Sequence, residues 1–232
     1  DLGLGRAPGS DGKTAYALNP NAAEDAERFP ANVLDLMAWV SGQPLTVGHP
    51  HQGLVAKPQG PTSPEIWMLG TSDFGAQVAA HFGIPYCFAH FITDGQGVER
   101  AMQVYRQNYK PSAHYPEPIA NICVWALAAE TEAEAEHLFS SRAHWKVLRE
   151  KGDLRALQSP ETAAAYEYTD IDKRRLDGLR ANAIIGTGAS VYKQLDQLAD
   201  KLGIDEAVVL TWTFDQADRR NSYRLLAEEQ GR

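Results

Sequence analysis

Short apolar runs alternate with longer amphipathic stretches from one end of this chain to the other. That alternation constrains the fold more than any other feature of the sequence. Leu2–Gly5, Ile66–Leu69, Pro85–Ile92, Ile119–Ala128 and Ala207–Phe214 read as strands. They are continuous apolar runs, the pattern of strands covered on both faces, as in a parallel sheet. Between them the apolar residues fall at helical spacing. Asn21–Ser41 reads as one long helix, with Phe29, Val33, Leu36, Met37 and Val40 on one side and Gly42 at its stop. Thr71-Ser72-Asp73 caps a helix to about Phe82, ended by Gly83. Further helices are expected over Val98–Tyr109, Thr131–Glu150, within Pro160–Arg180, over Ala189–Leu202 and around Ser222–Glu229. Thr46–Pro64, rich in Pro, Gly and His, is too irregular for a helix and reads as a surface insertion.

Five β/α units result. A closed (β/α)8 barrel needs eight, whereas a doubly wound sheet can stand on five. The 232 residues suffice for a sizeable core, and 44% hydrophobic with 22% charged residues is a globular balance. No run of apolar residues is long enough for a transmembrane helix. A formal net charge of -8 argues against a nucleic-acid or anionic-membrane partner. Cys87 and Cys123 stand alone in apolar runs, as two small hydrophobes in a reducing compartment would. No basic-then-apolar leader is visible, so the expected location is the cytoplasm. The chain opens without Met and directly in a strand, so a preceding piece is expected.

Several segments could carry chemistry. Ala7-Pro8-Gly9-Ser10-Asp11-Gly12-Lys13-Thr14 fits a relaxed P-loop pattern. Asn19-Pro20 follows too soon for a convincing phosphate-binding helix, and a polar loop over Ala7–Lys13 is the better reading. Gly70-Thr71-Ser72-Asp73 joins a strand to a helix through small polar residues. Free amides and two hydroxyls there suit a phosphate, or else one hydroxyl is simply an N-cap. Arg6 ends the first strand, where its fork could hold a phosphate or a surface ion pair. His90 lies at the C-terminal end of the third strand, as a core histidine or a group facing a ligand. Gly186–Ser190 reads as a helix start. His49-x-His51 and the His137/His144 pair have poor metal spacing, so no metal is expected. No Gly-x-Ser-x-Gly elbow occurs, and the chemistry is expected to belong to a cofactor.

Asp1-Leu2-Gly3-Leu4-Gly5-Arg6-Ala7-Pro8-Gly9 resembles the fourth-strand motif of the bacterial luciferase-like flavin monooxygenases. Ile66–Ser72, followed by Ala79–Tyr86, is similar to that family's fifth strand, phosphate loop and entry to strand six. Ile185-Gly186-Thr187, Asp205-Glu206 and Val208–Thr211 resemble the approach to strand eight, and Ser222–Ala227 the terminal helix. The resemblance implies a partial TIM (β/α)8 barrel: parallel strands four to eight with outer helices, one domain over residues 1–232. The family's first three β/α units have no counterpart here. It implies reduced FMN as cofactor, with a separate flavin reductase as a partner, and O2 and a small organic substrate such as an aldehyde as reactants. Arg6, Gly70, Thr71, Ser72 and Asp73 would bind the FMN phosphate, and His90 would face the flavin or the substrate. A hydride-transferring enzyme using the deazaflavin F420 and a non-catalytic flavin-binding chain are the alternatives. A homo-oligomer is a further expectation.

Overall fold

The computed structural model describes residues 1–7, 11–58 and 60–231. In chain order its elements are β1 (Leu2–Leu4), α1 (Gly12–Leu18), α2 (Ala22–Glu27), α3 (Phe29–Ser41), β2 (Ile66–Gly70), α4 (Asp73–Phe82), β3 (Tyr86–Phe88), α5 (His90–Thr93) and α6 (Val98–Asn108). There follow β4 (Ala120–Ala129), α7 (Glu132–Glu150), α8 (Pro160–Ala165), α9 (Asp170–Ala181), β5 (Ile184–Thr187), α10 (Gly188–Leu202), β6 (Ala207–Leu210) and α11 (Gln216–Gln230). All strand pairings described below are parallel, and the element order is that of part of a (β/α)8 barrel. The chain forms two compact units: Asp1–Phe88 with Gly97–Ala120, and Ala89–Gln96 with Asn121–Arg232.

In the first unit β1 pairs with β2, Leu2 opposite Ile66 and Leu4 opposite Met68, and β2 pairs with β3, Met68 opposite Tyr86. Tyr105 of α6 ties this unit together. Its hydroxyl lies 3.0 Å from the Ile84 carbonyl and 3.1 Å from the Ile119 carbonyl, and it accepts from the Ile119 amide at 3.2 Å. Its ring is fully buried beside Tyr86.

In the second unit β4 is shared between two partners. Its first half, Ile122–Trp125, pairs with β6, and its second half, Ala126–Ala129, pairs with β5. Where β6 stops, side chains take over. Thr211 Oγ1 donates to the Ala126 carbonyl at 2.7 Å, and the Ala128 amide donates to Ser222 Oγ at 2.9 Å. Alternate residues Trp125, Leu127 and Ala129 pack with Phe139, Ala143 and Val147 of α7.

Four expectations are corrected. The long helix over Asn21–Ser41 is two helices, because Pro30 has no amide to donate and its ring crowds the preceding turn, so the chain restarts at Phe29. Of the Ala7–Lys13 loop, Pro8, Gly9 and Ser10 lie outside the described residues, and Gly12 onward is helical. The strand expected over Pro85–Ile92 ends at Phe88, and His90 opens a helical turn closed by Asp94 and Gly95 at positive φ. A sixth strand, Ile184–Thr187, was hidden by its brevity. Thr187 is at once its last residue and the N-cap of α10, so the expected helix start holds one residue earlier.

Tyr105→Phe should lower the stability of the first unit by about 1–3 kcal/mol, because it removes the hydroxyl that donates to the buried Ile84 carbonyl and accepts from the Ile119 amide. Urea unfolding followed by circular dichroism measures the loss; an unchanged midpoint would show that water replaces the hydroxyl.

Candidate functional site

In the first unit β2 runs into α4 through Gly70-Thr71-Ser72. The turn is tight: a Cβ on Gly70 would lie 3.5 Å from the Gly75 Cα and 3.5 Å from the Tyr86 ring. These are ordinary contact distances, so strand end and helix start pack against each other and against Tyr86 without a gap. The Tyr86 hydroxyl lies buried beneath them with no hydrogen-bond partner among the described residues. Ser72 is the N-cap of α4, yet its side chain accepts nothing from the helix. The other Ser, Thr and Asp N-caps, Asp11, Thr131, Ser159, Thr169, Thr187 and Asp215, all accept from theirs. The first amides of α4 are therefore left without a side-chain acceptor, a condition suited to an anion.

Arg6 follows β1, and the register that sets Leu4 opposite Met68 brings it level with Gly70. Its guanidinium carbon lies 4.1 Å from the centre of the Phe74 ring in the first turn of α4, and the residue is exposed. Among the described residues it makes no ion pair. Arg6 and the Gly70–Asp73 turn thus end adjacent parallel strands at the same C-terminal edge. Asp73 differs from its neighbours: its carboxylate is paired with Arg100 at 3.2 Å, so only its amide could serve an anion.

The P-loop alternative meets a physical obstacle. Asp11 caps α1, and its carboxylate accepts from the Lys13 and Thr14 amides at 3.0 and 3.1 Å. Those are the amides a phosphate would need, and they already hold a negative group.

His90 lies in the second unit, buried at the start of α5. Its ring is pressed by Gly95, where a Cβ would come within 2.5 Å of Nε2 and where φ is +84°. Burial pushes its pKa down, and the cations Arg142 and Lys146 push the same way against Asp94. His90 is therefore neutral at pH 7. Asp94 accepts from Lys146 at 2.6 and 2.7 Å and from Arg142 at 3.1 Å, with Arg175 at 3.6 Å. Burial opposes its ionisation, but Lys146 and Arg142 outweigh burial and hold the carboxyl below the ordinary value of 3.8. Arg142 stacks over Trp125 at 4.3 Å, and its Nε has no partner among the described residues.

The structure brings Arg6 together with Gly70–Asp73, and it places His90 in the cationic cluster of the second unit. Sequence reading passed over Phe74 and Tyr86, and also Asp94, Arg142 and Lys146. The last two had a signal: they stand four apart on α7, among the core positions Phe139, Ala143 and Val147, where charge is out of place. His144 is a satisfied core histidine, bonded to Tyr168 at 2.7 Å and Gln158 at 2.9 Å, and His49 pairs with Asp35 at 3.1 Å. Among the described residues no three potential ligands gather as for a metal ion, and no helix is long and apolar enough to cross a membrane. Neither cysteine is in a disulfide.

Parallel strands with surrounding helices, in the element order of part of a (β/α)8 barrel, define an α/β protein. The luciferase-like monooxygenase family model matches residues 1–206, and the chain belongs to that family. It is similar to the uncharacterised protein YceB of Bacillus subtilis (strain 168), 36% identical over 98% of this chain and 68% of that protein. It is also similar to a luciferase-like monooxygenase of Escherichia coli (strain K12), 32% identical over 97% of this chain and 65% of that protein. Among solved structures, apo-MsnO8 superposes with a TM-score of 0.80 at 32% identity, over 98% of this chain and 67% of that one. More distant structures share the fold alone. One is the oxygenating constituent of 3,6-diketocamphane monooxygenase from Pseudomonas putida, in complex with FMN (TM-score 0.55, 17% identity, 97% and 69% of the two chains). Another is the coenzyme F420-dependent tetrahydromethanopterin reductase of Methanopyrus kandleri (TM-score 0.53, 13% identity, 98% and 72%). The chain spans about two thirds of the length of the relatives it matches.

Asp94→Asn should destabilise the second unit by about 3–5 kcal/mol, since it strands two buried cations. In the parent, the stability due to Asp94 is complete above 3.8 and is lost as the pH falls through its lower folded value. Denaturant midpoints across acid pH in both proteins test this; a parent and variant with parallel acid profiles would refute it.

Proposed function

We propose that the chain is the flavin-binding part of a monooxygenase that uses reduced FMN and O2 on a small organic substrate, with residues 1–232 acting as one domain. The observation that carries the reading is the α4 start: a Ser72 N-cap whose side chain bonds nothing in its own helix, with Arg6, in no ion pair among the described residues, stacked on Phe74 beside it. A phosphate monoester fits that set. Arg6 would fork two of its oxygens, and the Thr71 and Ser72 hydroxyls and the Asp73 amide would take the rest. The paired Asp73 carboxylate would stay turned away on Arg100.

The bound flavin would supply the redox chemistry and the activation of oxygen. The protein residues would hold it by its phosphate and keep water from the reacting edge. His90, neutral and buried, would contribute a hydrogen bond to the flavin or the substrate without a charge. Family membership and the likeness to the luciferase-like monooxygenase of Escherichia coli support the oxygenase reading. A separate flavin reductase would deliver the reduced cofactor, and the reducing interior of the cell suits both.

Arg6→Ala should weaken FMN about ten- to a hundred-fold, the range of a charge-assisted contact of about 1.5–3 kcal/mol, and leave riboflavin unchanged. Lys13→Ala should change neither. Fluorescence titration of both flavins reads the outcome. Equal losses for the two flavins, or tight F420 in place of FMN, would overturn the assignment; FMN bound with no oxygen consumption on reduction would leave a binding protein.

A further inference from the structure

Beyond β6 the chain passes through Thr211-Trp212-Thr213-Phe214 before α11 begins, and a cavity of about 430 Å³ opens there. It lies at the C-terminal end of β6, the end at which parallel barrels hold ligands, and its size is that of a small-molecule site. Trp145, Trp212, Phe214 and Leu157 make apolar walls, and Gln216 and Arg219 supply a polar edge.

The threonine hydroxyls are committed elsewhere. Thr211 donates to the Ala126 carbonyl and Thr213 donates to the Asp215 carbonyl at 2.6 Å. Arg219 is not committed. Its guanidinium carbon lies 5.8 Å from the centre of the Tyr223 ring, and among the described residues no carboxylate pairs with it. Asp215, one turn earlier, directs its carboxylate to the Ala217 amide at 2.7 Å. Behind the indole wall stands more positive charge: the Arg142 guanidinium is 5.9 Å from the Trp212 ring, and Arg142 and Lys146 share the single carboxylate of Asp94. Charge buried in this way is poorly screened.

We propose that this cavity binds a small apolar organic acid, an aryl or alkyl carboxylate, with its hydrocarbon part against Trp145 and Trp212 and its carboxylate on Arg219. Calling that acid the substrate rests on the monooxygenase reading; the binding itself needs no flavin.

The test uses the flavin-free chain. 3-Phenylpropanoate and its neutral counterpart 3-phenylpropanamide are titrated by calorimetry into the parent, Arg219→Gln and Arg219→Lys. The parent should prefer the acid by about ten-fold or more, as a charge-assisted contact gives. Arg219→Gln should erase the preference with amide affinity unchanged, and Arg219→Lys should retain most of it. Equal affinity for the two probes, a preference that survives Arg219→Gln, or no binding of either at millimolar concentration would overturn the proposal. Acid preference in a chain that binds no FMN would instead count against the monooxygenase reading alone.

Discussion

β4 has almost no side that faces water. From Asn121 to Ala129 every residue but half-buried Cys123 is buried, with Ile122–Trp125 paired to β6 and Ala126–Ala129 to β5. A strand in this position must satisfy each amide and carbonyl from within the protein. Part of the need is met by β6 and β5 and, beyond the end of β6, by hydroxyls of Thr211 and Ser222. Those side-chain bonds fix where β6 gives way to the Thr211–Phe214 segment and where α11 lies along the sheet. The cavity at Trp145 and Trp212 is a product of that arrangement, since the chain leaves the sheet at Leu210 and returns in α11.

Charge in this molecule is distributed against its average. The surface is acidic, yet two of its most buried ionisable groups are Arg142 and Lys146, held by one carboxylate. Buried charges are costly unless paired and hydrogen-bonded, and one anion for two cations leaves an excess. Burial is the main force that lowers the His90 pKa, and Arg142 gives the indole wall an electropositive backing. The same three residues also hold the left-handed turn at Asp94 that follows α5. Histidine position and local potential thus share one origin.

Much of this was legible in the sequence. Continuous apolar runs identified the strands of a covered parallel sheet, and Leu-Gly-Thr-Ser after a buried strand pointed to the loop at α4. Adjacent parallel strands then required Arg6 to reach the same edge. Where the reading failed, local signals competed. Pro30 sits inside an otherwise regular helical pattern, and the apolar residues of Phe91-Ile92 continue a strand pattern that Asp94 and Gly95 end by backbone conformation. Ile184–Thr187 is too short to show a period. The Asp94 cluster brings together residues about fifty positions apart, and no spacing rule connects them.

The unused Ser72 N-cap has a thermodynamic meaning. Where another serine, threonine or aspartate caps a helix, its side chain completes the helix start, so those starts are finished when the chain is folded. At α4 the Ser72 side chain leaves that place to another acceptor. A group that binds there joins the fold as a missing part, and mass action then links folding to its concentration. At a hundred times its dissociation constant such a ligand adds about 2.7 kcal/mol. The lifetime of the protein in a cell would then follow the supply of its ligand: molecules formed when the ligand is scarce are the ones most often open to proteases.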